Sequence, residues 1–209
     1  MIIVNFKNYK QGRDVLKLAK KIEKANTKII VAVPPSYLGF VKFRTKLNVF
    51  AQHVDYHKKG KSTGFTIPEV VKNIGIKGSL LNHSEHKIPP KYLEKTIKRC
   101  DKLGLKIVVC ASNFKEIKLL KKLKPWAIAF EDTKLIATKK SITKYDSKKI
   151  KEFVKILAET KIIPLCGAGI HSKEDYWEAL ALGCKGVLIS SAVMKSRNPG
   201  RFLRSFKLK

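Results

Sequence analysis

GSLLNHSEHK, residues 78–87, joins two kinds of chemistry without a break. Gly78, Ser79, Leu80 and Leu81 are small or apolar. Asn82, His83, Ser84, Glu85, His86 and Lys87 all handle protons or hydrogen bonds. The short apolar run reads as a strand buried on both faces, as in a parallel sheet. It ends in a dense cluster of reactive side chains, so the fold must be one that gathers its chemistry where strands end.

Seven further runs repeat the pattern: Ile2 to Phe6, Ile29 to Val33, Val49 to Ala51, Lys106 to Cys110, Ala127 to Phe130, Ile162 to Cys166 and Gly186 to Ile189. Between them lie lysine-rich amphipathic segments. DVLKLAKKIEKA puts Val15, Leu18, Ala19 and Ile22 on one stripe, which predicts a helix with its lysines opposite. KYLEKTIKRCDKLG ends at Gly104, a C-terminal cap. DSKKIKEFVKILAET begins on Asp146 or Ser147 and carries Ile150, Phe153, Val154 and Leu157 inward. SKEDYWEALALG runs from Ser172 to Gly183. Eight strand–helix units without a linker predict a single (β/α)₈ barrel over residues 1–209, near the short limit for that fold. The longest irregular stretches, residues 53–63 and 132–145, are the loops expected to carry function.

The composition narrows the class. The chain has 209 residues, 44% of them hydrophobic, enough for one large core. No signal peptide and no apolar run of membrane-spanning length is visible, so a cytoplasmic protein without membrane attachment is expected. Cys100, Cys110, Cys166 and Cys184 form no C-x-x-C pair, which argues for reduced structural thiols rather than a metal site or disulfides. The net charge of +29, from 45 Lys and Arg against 16 Asp and Glu, should attract anions. Nucleic acid is one such partner, and a phosphorylated metabolite is another. The lysines spread along the whole chain without interleaved aromatics, which disfavours nucleic acid and favours a solvated basic coat.

A (β/α)₈ barrel places its site at the carboxyl ends of its strands. The first run ends in Asn5, Phe6 and Lys7, the third in Gln52 and His53, and the fourth in Asn82, His83, Ser84 and Glu85. The sixth ends in Glu131, the seventh in Gly167, Ala168 and Gly169, and the eighth in Ser190 and Ser191. Small residues on loops seven and eight offer bare N–H groups to a phosphate. The set amounts to a base, an electrophile and a cation beside an anion pocket.

Here the chain resembles the triosephosphate isomerase family in its short archaeal form. VNFKNY, FAQHVD with STGFT, LLNHSEHK, FEDTKLIAT, LCGAGI and LGCKGVLISSAVMK recur in family order over essentially the whole sequence. The resemblance implies interconversion of dihydroxyacetone phosphate and glyceraldehyde 3-phosphate, in glycolysis and gluconeogenesis, through an enediolate and without a cofactor. Glu131 matches the base, and His83 the neutral imidazole that polarises the carbonyl, a pairing that is a standard example of acid–base tuning. Ser84 and Glu85 are expected in the first turn of a helix, whose dipole would disfavour a second proton on His83. Lys7 matches the cation that stabilises the enediolate and phosphate, and Asn5 its hydrogen-bonding neighbour. Spaced i, i+2, both should point into the mouth from one strand face. Glu85 matches a carboxylate that orients Lys7. Gly169, Ser190, Ser191, Ile136 and Ala137 match phosphate-binding positions. His53, His57, His86 and His171 have no catalytic counterpart and read as surface or loop residues.

The likeness weakens in the loop after Glu131. The archaeal pattern carries two glycines and a proline there. This chain has Ala137, Lys139 and Asp132 instead, and Lys139 and Lys140 can draw a phosphate. Altered lid kinetics are expected, and Asp132 would raise the Glu131 pKa if it faced the base. HVDYHKKGKSTGFT matches the family loop that reaches into a neighbouring subunit, which implies a homodimer or homotetramer.

Overall fold

The computed structural model describes residues 1–131 and 146–206. Eight strands form a closed parallel barrel in chain order. They are β1 (Ile2–Asn5), β2 (Ile30–Val33), β3 (Asn48–Ala51), β4 (Gly78–Leu81), β5 (Lys106–Ala111), β6 (Ala127–Phe130), β7 (Ile163–Cys166) and β8 (Gly186–Ile189). Closure comes from β1 pairing with both neighbours, Ile3 beside Ile30 on one side and Leu188 on the other. All eight expected runs are strands, with ends displaced by a residue or so.

The described helices are α1 (Arg13–Ala25), α2 (Leu38–Lys42), α3 (Pro68–Asn73), α4 (Pro90–Lys102), α5 (Phe114–Lys122), α6 (Ser147–Leu157), α7 (Lys173–Ala181), α8 (Ser191–Met194) and α9 (Pro199–Arg204). The α1 stripe lies inward as the spacing predicts: Val15, Leu18, Ala19 and Ile22 are its buried residues. On α6, Ile150, Phe153 and Leu157 are buried, whereas Val154 is only partly so and packs at the edge. Its methyl carbon occupies the space beside Gly183, the residue that lets the chain turn out of α7 at φ 101°. Asp146 caps α6 by accepting from the Lys149 N–H. Ser172 and Asp175 form a reciprocal capping box on α7.

Two apolar layers follow from strand alternation. Ile3, Ala32, Phe50, Leu80, Val108, Ala129, Leu165 and Leu188 fill the barrel interior. Their sequence neighbours, among them Val4, Val31, Leu81, Val109, Ile128 and Val187, face the helices. Side chains alternate with period two. The next inward positions up from Ile3, Val108, Ala129, Leu165 and Leu188 are therefore Asn5, Cys110, Glu131, Gly167 and Ser190. Alternation alone carries five positions of five different strands to one mouth. Among the described residues no helix is long and apolar enough to cross a membrane.

Candidate active site

Asn5, Lys7, Tyr9, His83, Glu131, Gly167, Gly169, Ser190 and Ser191 line one cavity at the carboxyl end of the barrel. All the expected site residues within the described segments meet here except Glu85, which stands in an adjoining recess with Lys7 and His83. Ile136 and Ala137, with Asp132, Lys139 and Lys140, lie outside the described residues. A larger cleft, about 1800 Å³, opens between α4, α5 and α6 at the opposite end, and none of the expected site residues lines it.

Glu131 is the least expected side chain by ordinary solvation. It is 1% exposed, just above the apolar interior. Burial pushes its carboxyl up to about 7, against hydrogen bonds from the Cys110 thiol and the Ser84 N–H and the fields of Lys7 and Lys87. The Ser84 N–H lies 3.4 Å from Oε2, and His83 Nε2 stands 3.3 Å from Oε1.

His83 takes its tautomer from the backbone. The Glu85 N–H donates to Nδ1 at 3.1 Å, so Nδ1 is unprotonated and the ring proton sits on Nε2, facing Glu131. Desolvation and the nearby Lys7 charge lower its pKa to about 4, outweighing the Glu85 carboxylate. The expected helical first turn is absent. Residues 83–86 form a turn, closed by His86 N–H to His83 O at 2.8 Å, and α4 begins only at Pro90. The neutral ring is kept by burial, an adjacent ammonium and one local N–H, not by a helix dipole.

Asn5 and Lys7 converge, but not by simple alternation. β1 ends at Asn5, and Lys7 lies beyond it at φ 45°. That left-handed turn is held from two sides. The Lys7 N–H donates to Asn5 Oδ1 at 3.0 Å, and Gln52 Nε2 donates to Lys7 O at 3.1 Å and to Ala32 O at 3.2 Å. Lys7 Nζ then meets Glu85 Oε1 at 2.6 Å. Asn82, at φ 58°, plays the matching part on loop four: Nδ2 donates to Cys110 O at 3.0 Å and Oδ1 accepts from the Ile88 N–H at 3.1 Å. Two of the three described non-glycine residues at positive φ thus flank the site.

On the side of the cavity lined by loops seven and eight, Gly169 turns at φ 67° and Ser190 precedes α8. Ser190 Oγ is buried and has no hydrogen-bond partner among the described residues. The four cysteines are buried and free, and the described residues contain no cluster suited to a metal ion. His53 pairs with Asp55 at 3.1 Å and stacks on His86, and so stands in a packed loop rather than on open surface.

Sequence reasoning passes over Tyr9 and Cys110, and places Gln52 and Gly167 at strand ends without the roles the fold gives them. Gln52 stands at a strand end and its tie to Lys7 is invisible without the fold. Strand parity was the signal for Cys110 and Gly167, which occupy inward positions of β5 and just past β7.

A family model described as triosephosphate isomerase matches residues 1–207. The chain is 38% identical to a triosephosphate isomerase of Metallosphaera sedula, over 99% of this chain and 93% of that one. It is 36% identical to that of Sulfolobus acidocaldarius over the same shares, and 33% identical to that of Methanocaldococcus jannaschii over 98% and 97%.

Proposed function

Because the chain belongs to the triosephosphate isomerase family, we propose that it interconverts dihydroxyacetone phosphate and D-glyceraldehyde 3-phosphate at the mouth of its barrel. The observation that carries this reading is the pair Glu131 and His83. A buried carboxyl with its pKa near 7 faces an imidazole whose pKa is near 4, across 3.3 Å.

The reaction moves one proton between two adjacent carbons and a second between their oxygens. One carboxylate can serve both carbons if they lie side by side before it. Glu131, ionised, takes the proton from the carbon next to the carbonyl and returns it to the neighbouring carbon. Burial raises its basicity toward the operating pH. His83 presents Nε2–H to the carbonyl oxygen. A neutral ring matches the enediolate better than an imidazolium would, because its acidity is closer to that of the enediol. The Lys7 ammonium stabilises the oxyanion that forms, and Glu85 holds that ammonium in place. Asn5 Oδ1 is engaged by the Lys7 backbone, which leaves Nδ2 for a substrate oxygen. The Gly169, Ser190 and Ser191 backbone N–H groups and Ser190 Oγ receive the phosphate dianion. No cofactor enters any step.

We also read the chain as one domain, working in the cytoplasm and self-associating as a homodimer or homotetramer through the loop at residues 53–66. Light scattering after gel filtration tests the assembly, and a monomer at micromolar concentration would overturn it. A coupled assay with glyceraldehyde 3-phosphate tests the activity. Wild-type turnover should fall by about 100-fold or more in Glu131→Asp, since an ångström of misplacement at the base costs on that order. Equal rates in the two proteins would remove Glu131 from the role of base.

A further inference from the structure

We propose that Gly167 is a positioning residue for the Glu131 carboxylate: the Cβ it lacks is the space in which that side chain is seated. The inference rests on the functional reading above and extends it to a residue that touches no reacting atom. A Cβ built on Gly167 would stand 2.7 Å from Glu131 Cγ, closer than such carbons approach, and 3.0 Å from Phe130 O. Gly167 does not bear a positive φ, so backbone freedom is not the reason for it.

Comparison with other glycines of the barrel separates this one from the rest. At Gly78 an added Cβ would strike Lys106 O at 2.0 Å, and at Gly186 it would strike Met1 O at 2.4 Å. Those collisions are with neighbouring backbone and bear on strand pairing. At Gly167 the nearest atom belongs to the side chain that carries the proposed chemistry. The Gly167 N–H also donates to Phe130 O at 2.8 Å, which fixes β7 against the end of β6 and leaves the glycine no room to withdraw.

Glu131 has few ways to give. The Cys110 thiol, the Ser84 N–H and His83 Nε2 surround its carboxylate, and Lys7 and Lys87 are the charges whose fields reach it. A methyl at position 167 would push Cγ away from its seat and turn the carboxylate out of line with the substrate carbons. Substrate binding, held by the phosphate loops, would change little.

The experiment compares wild type, Gly167→Ala, Glu131→Ala and the double variant by steady-state kinetics. Gly167→Ala should lower kcat roughly 10- to 100-fold with KM within about threefold. In the Glu131→Ala background, where the colliding Cγ is gone, the same change should lower the residual kcat by less than about threefold. An unchanged kcat in Gly167→Ala, or the same loss in both backgrounds, would overturn the proposal. Thermal melts supply a second arm. If Gly167→Ala melts lower than wild type or fails to fold, Glu131→Ala should restore the melting temperature of the pair to that of Glu131→Ala alone. Failure of that rescue would place the collision on the Phe130 backbone and refute the seat. A wild-type protein without isomerase activity would refute the functional reading and the kinetic claim with it, whereas the melts still decide the steric coupling.

Discussion

At the scale of single residues, Glu131 ties activity and stability to the same proton. Its pKa in the folded chain is raised from 4.5 to about 7 by burial, so the folded state binds that proton more tightly than the unfolded chain does. Between those values the unfolded chain has released the proton and the folded one has not. Stability from this group is therefore complete below about pH 4.5 and is lost as pH rises through about 7, of the order of 3 kcal/mol in all. Glu131→Gln removes the ionisation. The variant should melt progressively higher relative to wild type between pH 5 and 8, and parallel Tm curves would contradict the shift. Under the proposed function activity runs the other way, because there the ionised base is the working form. Wild-type kcat/KM should fall about tenfold per pH unit below about 7, as one acid limb. His83, with its pKa lowered to about 4, adds a second proton only below that limb. In the proposed mechanism Lys7 is the cation and Glu85, whose Oε1 it meets at 2.6 Å, is its tether. Lys7→Ala should cost about 100-fold or more in kcat/KM. Glu85→Gln keeps a hydrogen bond and should cost about tenfold or less. Kinetics that rank the two the other way would assign the charge to the wrong residue.

At the scale of elements, the loop after β4 shows what strand pattern can and cannot foretell. The eight apolar runs, the inward stripe of α1 and the caps at Asp146 and Ser172 follow from periodicity and capping chemistry, and each is where those rules put it. Convergence of Asn5 and Glu131 follows from alternation. The aiming of Lys7 and His83 does not, because both lie past their strands in turns held by long-range hydrogen bonds, from Gln52 in one case and through Asn82 in the other. A helix at Ser84 is locally reasonable, but Pro89 and Pro90 set the helix start later and leave a turn whose single N–H fixes His83. Asn82 is the hinge pin of that turn. Its side chain joins β5 to the chain at Ile88 from a left-handed backbone. Asn82→Ala loses one buried and one partly buried hydrogen bond and keeps the unfavourable φ, for a cost of about 2–4 kcal/mol. Tm should fall by roughly 5–12 °C for a chain of this length, and kcat should fall with it as His83 loses its aim. Asn82→Gly relieves the backbone but not the bonds, and should recover part of the stability and little of the rate. Full recovery of both would show that the backbone, not the amide, is what the turn requires.

At the scale of the whole molecule, the +29 charge becomes a statement about encounter rather than architecture. The barrel core is apolar, and none of the described lysines is among its buried residues. A triose phosphate approaches as a dianion, and a net positive field raises its local concentration before any contact forms. Lys7 and Lys87 continue that field into the mouth, since both charges are felt at Glu131 and His83. The range of the field depends on salt: the Debye length is about 30 Å at 0.01 M and about 10 Å at 0.1 M. Steering acts on capture and not on the bound complex. Raising ionic strength from 10 to 200 mM should therefore lower kcat/KM several-fold while kcat at saturation holds nearly constant. An anion that merely occupies the phosphate pocket would also lower kcat/KM, but it would do so according to its identity. Potassium chloride and potassium acetate at equal ionic strength should therefore give the same curve, and unphosphorylated glyceraldehyde, which carries no charge to steer, should react at a rate indifferent to both. If kcat/KM stays flat across that range with the dianion as substrate, the basic coat takes no part in bringing substrate to the barrel.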